Sequence, residues 1–255
     1  MTSEEIGLAL ERGRLRVVIA TVIINVVVVS LLTFAPWSDW RTGVALNIVD
    51  NCLLVSFVLA KRDALLARFL LFGLVVGFTE LAADAWLVDY THTLDYSIGG
   101  GPMIWRSPFW MPLAWEVAAV QFGYIGLRLY ECFGKFGLAL IGLLGAINIP
   151  FYEEMARRIH WWQYSGCRMI SFAPWYIILG EFGIALVFCF ARSKLAARFS
   201  PHGHYCRSRW RHINLRLLRC CLFYYRPAGQ VGQMPRVYRE HVAWFQQRKR
   251  VPASK

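Results

Sequence analysis

Six stretches of the chain are almost unbroken runs of apolar residues: 17–36, 43–60, 64–88, 108–127, 136–152 and 172–191. Each approaches the roughly 20 residues that a helix needs to cross a bilayer's hydrocarbon core. Backbone groups in lipid must be satisfied within the segment, and these runs are too long for barrel strands, so each is expected to be a helix. The pattern predicts an all-α, polytopic membrane bundle of six transmembrane helices at 17–191. A short segment, 1–16, precedes it and a basic tail, 192–255, follows.

Polar residues interrupt these runs at particular places. Asp50 and Asn51 fall in the second, Glu80 and Asp84 in the third, Glu116 and Gln121 in the fourth. Asn148 falls in the fifth, with Glu153 and Glu154 just beyond it, and Glu181 lies in the sixth. At about 1.5 Å per residue, alternating helix directions bring these groups to one half of the bilayer. Asn25 in the first run is a deeper neighbour. An ionisable residue within a membrane is costly and marks a functional site by default. None of the six runs brings a lysine or arginine to this level, so some of these carboxyls are expected to be neutral. A neutral acid beside an ionised one makes an acid/base pair.

Charge sets the orientation. With the N-terminus inside, inner segments hold 23 of the 28 lysines and arginines and outer segments hold 5; without the tail the balance is 8 to 5. Both termini are therefore expected on the cytoplasmic side, in a bacterial cytoplasmic membrane. The first run is too long for a signal-peptide core and follows Glu4, Glu5 and Glu11, so it is expected to be a retained anchor. Charged residues make up only 17% of the chain, too few to solvate a soluble domain of this apolarity. The seven cysteines are divided between apolar runs and the two membrane sides; Cys167 alone lies outside, so no disulfide framework is expected.

Two long outer loops follow the third and fifth runs. The second contains Glu153/Arg157 and Glu154/Arg158, both spaced i,i+4, and reads as a short interfacial helix with internal ion pairs. Trp37, Trp40, Trp105, Trp110, Trp161, Trp162, Tyr164 and Trp175 fall at the outer boundary, where an aromatic belt is ordinary. The tail has 15 basic residues against one acid, Glu240. Residues 213–225 suit a helix lying on the membrane surface, binding anionic lipids or a protein partner; nucleic acid is the poorer reading beside a membrane. No metal or other cofactor is expected. The runs contain no histidine, Glu153 and His160 lack the Glu-x-x-His spacing of carboxylate-bridged metal bundles, and His202, His204 and Cys206 have no diagnostic spacing. Retinal would need a lysine within a span.

A build with acids on several helices and aromatic residues around them resembles the membrane carotenoid and terpene cyclases, notably the lycopene cyclase domain family. That family carries a proline followed closely by paired acids, P-x-E-E. Here the corresponding stretch is Pro150-Phe151-Tyr152-Glu153-Glu154, one residue longer. The resemblance implies cyclisation of an isoprenoid without net redox change, with Glu153 and Glu154 in the family role. Glu80, Asp84, Glu116 and Glu181 would then be further catalytic acids. Glu80–Trp86 and Asn148–Pro150 also resemble stretches of bacterial membrane proteins that have no assigned function.

The chemistry suits the residues. Protonating an alkene needs a desolvated acid, and the resulting cation is stabilised by aromatic faces. Asp50, Asn51, Trp86, Trp115, Asn148, Tyr152 and Tyr176 are the candidates for substrate contact. Two other readings stand beside the isoprenoid cyclase or isomerase. A noncatalytic membrane subunit or assembly factor would use the acids to join helices. A proton-coupled carrier would need polar residues in the inner half and an internal repeat, and neither is visible.

Overall fold

The computed structural model describes the backbone of residues 3–197 and the side chains of residues 5–188. The basic tail, its expected surface helix and the His202–Cys206 stretch lie outside the described residues. The helices described here belong to one compact unit, which ends at Arg207. They are α1 (Ser3–Leu32), α2 (Trp40–Lys61), α3 (Ala64–Asp89), α4 (Met111–Phe133), α5 (Lys135–Ile159) and α6 (Trp175–Ala197). Their boundaries follow local chemistry. Asp39 caps α2 by accepting from the Arg41 amide, and Asp63 caps α3 by accepting from the amides of Leu65 and Leu66. Pro112 sits in the first turn of α4, where its missing N–H costs nothing. Gly134, at φ +60°, is the whole connection between α4 and α5.

Four helices are long and apolar enough to cross a membrane: α1 from Glu5, α2, α3 and α5. The apolar faces point outward. Ile23, Leu31, Leu59, Leu71, Val75, Ile147 and Leu179 are all exposed, whereas Asn25, Asn47, Asp50 and Asp84 are buried. An apolar belt of this extent around a polar interior fits a lipid surround. Helix α4 is central. It packs against α1, α2, α3, α5 and α6, so much of its surface meets protein. Its backbone comes close to α3, where Cβ atoms added at Gly73 and Gly77 would lie 2.7 and 2.3 Å from the carbonyl oxygens of Glu116 and Pro112.

Two expectations are corrected. The first helix begins at Ser3 rather than near residue 17, because the charged first turns continue it. The second long loop contains no separate interfacial helix. Instead α5 runs on through Pro150 to Ile159. Its ion pairs also differ: Glu154 meets Arg158 at 2.5 Å and Arg157 at 3.6 Å, while Glu153 turns inward.

At the end of the bundle bearing the long loops, short strands knit those loops together. β1 (Leu94–Asp95) pairs antiparallel with β4 (Gln163–Tyr164), joining the α3–α4 connection to the α5–α6 connection. β2 (Met103–Ile104) and β3 (Ser107–Pro108) form a hairpin, as do β5 (Met169–Ile170) and β6 (Ala173–Pro174). At the opposite end a charged network ties α1, the α2–α3 turn and α4. Arg14 meets Asp63 at 2.5 Å and Glu11 at 2.8 Å; Arg128 meets Glu11 at 2.6 Å, and the Tyr124 hydroxyl donates to Glu11.

Candidate functional site

A cavity of about 180 Å³ lies in the bundle, toward the loop-bearing end. Every helix contributes to its wall: Asn25 from α1, Asn47 from α2, Asp84 from α3, Trp115 and Gln121 from α4, Asn148 and Tyr152 from α5, and Glu181 from α6. Helical spacing explains the pairs. Asn148 and Tyr152 are four residues apart, as are Ala114 and Ala118, and both pairs line the cavity. Tyr96, Trp110, Trp161, Trp162 and Tyr164 come from the loops and the N-cap of α4 and complete its lining.

The tryptophans form one cluster. Trp110 meets Trp161 edge-on at 5.4 Å between ring centroids, and Trp161 stacks on Trp162 at 6.1 Å. Tyr96 packs against Trp162 at 6.1 Å. The Trp161 indole donates to the Asp39 carbonyl at 3.0 Å, and the Trp162 indole donates to Glu153 at 2.7 Å. The Trp110 indole nitrogen is buried and has no partner among the described residues.

The acids are arranged around this cluster. Asp84 Oδ2 accepts from the Tyr96 hydroxyl at 2.9 Å and the Ser107 hydroxyl at 2.7 Å. Glu80 lies within electrostatic reach of Asp84, and Glu181 within reach of Glu80 and Glu153. Tyr164 lies within electrostatic reach of Glu153, Asp84 and Glu181. Burial pushes the hydroxyls of Tyr96 and Tyr164 well above their ordinary value of 10.0; Asp84 adds to this at Tyr96, and Glu153 at Tyr164. Both phenols therefore stay protonated, and Tyr96 gives its proton to the hydrogen bond with Asp84.

Three of the cavity's amides, Asn25, Asn47 and Gln121, donate to the protein through their nitrogens. Asn25 Nδ2 donates to Asp50 Oδ2 at 2.7 Å and to the Thr21 carbonyl at 3.0 Å. Asn47 Nδ2 donates to the Gly43 carbonyl at 2.8 Å, and Gln121 Nε2 donates to Thr21 Oγ1 at 3.1 Å.

The structure thus brings Asp84, Glu181, Trp115, Asn148 and Tyr152 to the cavity, with Glu80 and Glu153 beside the first two. The other expected site residues stand apart from the wall. Asp50 is fully buried behind Asn25, near Tyr152. Glu116 is buried, with its backbone against Gly73 of α3. Asn51 ties α2 to α4 through the Leu113 carbonyl at 3.3 Å. The Tyr176 hydroxyl bonds Thr93 at 3.0 Å. Glu154 is taken up by Arg157 and Arg158. Trp86 is 56% exposed and turns away from the bundle. Among the described residues, no three His, Cys, Asp or Glu side chains are placed to share a metal ion.

Tyr96, Ser107, Trp110, Trp162, Tyr164 and Asn47 join the site although the sequence did not single them out as site residues. Trp110, Trp162 and Tyr164 read as boundary residues, because an aromatic residue next to an apolar run is usually that. Asn47 carried a usable signal, since it lies one turn before Asp50 and Asn51.

No curated protein and no solved structure matches the chain. Residues 81–223 match the family described as "Domain of unknown function (DUF6989)". That stretch includes Asp84, the aromatic cluster, Glu153 and Glu181, but not the amides of α1 and α2. The match covers more than half of the sequence, and the chain belongs to the DUF6989 family.

Proposed function

We propose that the protein is an isoprenoid- or carotenoid-modifying enzyme, an acid-initiated cyclase or isomerase. In this reading all six helices span a bacterial cytoplasmic membrane, with both termini on the cytoplasmic side. The observation that carries it is the cavity wall, in which Asp84 and Glu181 adjoin tryptophan and tyrosine faces and no lysine or arginine takes part. Glu181 donates a proton to a carbon–carbon double bond, and the resulting carbocation sits among aromatic rings. Asp84, already oriented by Tyr96 and Ser107, removes a proton from the rearranged cation. The carbon skeleton is isomerised, no electron carrier is needed, and the acids are reset by passing one proton back.

The test is solvent extraction of the purified protein and mass spectrometry of the co-purifying lipid, wild type against Glu181→Gln. The reading expects an enriched isoprenoid whose composition changes in the variant. Ordinary phospholipid, identical in both, overturns it. A noncatalytic subunit is the second reading. It is favoured by the hydrogen bonds that hold Asp84 and Glu153, and it predicts that identical outcome. The topology is tested separately: in intact cells an impermeant maleimide should label a single-cysteine protein retaining Cys167.

A further inference from the structure

Two acids in the cavity wall keep oxygens that the protein does not use. Asp84 is 8% exposed, and both of its hydroxyl donors, Tyr96 and Ser107, go to Oδ2; Oδ1 accepts from no described residue. Glu181 has no hydrogen-bond partner at either oxygen among the described residues, and its neighbours in charge are other acids. Neither Asp84 Oδ1 nor the Glu181 carboxyl is sealed in the way the Trp110 indole nitrogen is. Both residues line the cavity, so their open oxygens have it beside them.

Charge decides what those oxygens take. Glu80 lies within electrostatic reach of both Asp84 and Glu181, and Glu153 within reach of Glu181. The wall contains no lysine, arginine or histidine. Donors do remain, on Asn148, Tyr152, Tyr164 and Trp115, but all are neutral. A phosphate or carboxylate would add negative charge beside these acids with no cation to balance it. A neutral ligand can use the donors, yet it leaves the acids to be neutralised by protons alone. A cation neutralises a carboxylate directly, and the indole and phenol rings that line the rest of the cavity attract it further. At about 180 Å³ the cavity holds an ammonium head and not a long chain. Reaching it through a bundle with an apolar outer belt requires that head to ride on an apolar body.

We propose that the cavity binds the ammonium group of a lipophilic amine or quaternary ammonium compound, with Glu181 as its counter-ion and Asp84 Oδ1 as a second acceptor. The proposal stands on the charge and lining of the wall and does not depend on the carbon chemistry proposed above.

The test is competition binding on the full-length protein in nanodiscs of uncharged phosphatidylcholine, with tritiated dodecyltrimethylammonium as the probe. The unlabelled competitors share one chain and differ in the head: dodecyltrimethylammonium, dodecylamine, dodecanol and dodecanoate. Each is counted as the amount in the bilayer, which removes differences in partitioning. Both cations should compete at about ten-fold lower amounts than dodecanol or dodecanoate. Glu181→Gln keeps the shape and removes the charge, and should erase most of that preference while leaving dodecanol unchanged. Equal competition by dodecanol or dodecanoate, no saturable binding, or an unchanged cation preference in Glu181→Gln overturns the proposal. The wild-type series decides the matter even if the variant does not fold. Cation selectivity in a protein that carries only ordinary phospholipid would uphold this site and sink the isoprenoid reading. An enriched isoprenoid that changes in Glu181→Gln, with no cation selectivity, would do the reverse.

Discussion

The indole nitrogen of Trp162 donates to the Glu153 carboxyl at 2.7 Å, fastening the last turns of α5 to the loop that follows them. Both residues belong to the bundle's interior side, and Glu153 is buried. Trp162→Phe would keep the ring's stacking on Trp161 but leave that carboxyl oxygen without its donor. The expected cost is about 1–3 kcal/mol, the usual penalty for a buried group stripped of its partner. Glu153→Leu alone removes the acceptor and strands the indole. The double variant removes both polar groups and should recover part of the loss. Thermal unfolding in detergent of all four proteins gives the coupling. Strictly additive losses would show that the bond contributes nothing beyond each side chain's own packing.

The phenols of Tyr96 and Tyr164 give a pH dependence whose sign follows from their surroundings. Burial, then Asp84 for Tyr96 and Glu153 for Tyr164, raises both above the ordinary 10.0. Unfolded tyrosine ionises near that ordinary value, so above it the unfolded chain binds fewer protons than the folded one. Stability from these groups is therefore complete below about pH 10 and declines as pH rises toward their folded values. Melting temperatures between pH 8 and 11 should fall at the alkaline end. The Tyr96→Phe/Tyr164→Phe protein should start lower, because Asp84 loses a donor, but fall less steeply. Parallel curves would contradict the assignment.

The helices were legible because apolar run length and lipid physics leave few alternatives, and each of the six runs falls largely within a helix, although α1 begins some fourteen residues before its run. The α5 end was not, because the i,i+4 charge pairs beyond Tyr152 read as a separate interfacial helix after the apolar run. In fact α5 continues through Pro150, where a helix already packed on its neighbours carries the missing amide bond. Two adjacent acids then looked equivalent. Only the extended helix, with Ile149, Glu153 and Ala156 on its buried face, separates Glu153 from the ion-paired Glu154. Trp86 was readable from spacing alone: two residues past Asp84 is nearly the opposite side of a helix. Partners such as Tyr96 and Trp110 were not readable, since loop pairing through β1 and β4 brings the two connections together over the bundle.

At the opposite end, Asp63 does two jobs. It caps α3 through the Leu65 and Leu66 amides and accepts from Arg14 at 2.5 Å, while wholly buried. Asp63→Asn retains an oxygen for the cap and loses the charge; Asp63→Ala loses both. The cap alone is typically worth about 1 kcal/mol. Removing one partner of a buried pair costs about 3–5 kcal/mol at most, and less here because Arg14 keeps Glu11 at 2.8 Å. Asp63→Ala should therefore be clearly less stable than Asp63→Asn in the same unfolding assay. Equal losses would mean that the ion pair dominates and the cap is immaterial.

Two glycines test how closely the site depends on helix spacing. At Gly77 an added Cβ would lie 2.3 Å from the Pro112 carbonyl oxygen and 2.7 Å from its Cα, which are backbone atoms that cannot rotate aside. Gly77→Ala must move α3 from α4, at a cost of about 1–3 kcal/mol for overpacking. The displacement reaches the cavity, because Asp84 lies two turns along α3 and Trp110 and Met111 immediately precede Pro112. At Gly180 nothing lies within 4 Å of the same position. Gly180→Ala, beside Glu181, should be neutral or raise stability by about 0.5–1 kcal/mol through helix propensity alone. Paired unfolding and dodecyltrimethylammonium-binding measurements should show Gly77→Ala losing both stability and affinity while Gly180→Ala keeps both. If Gly77→Ala lost stability but bound normally, the cavity would not depend on the close approach of α3 to α4.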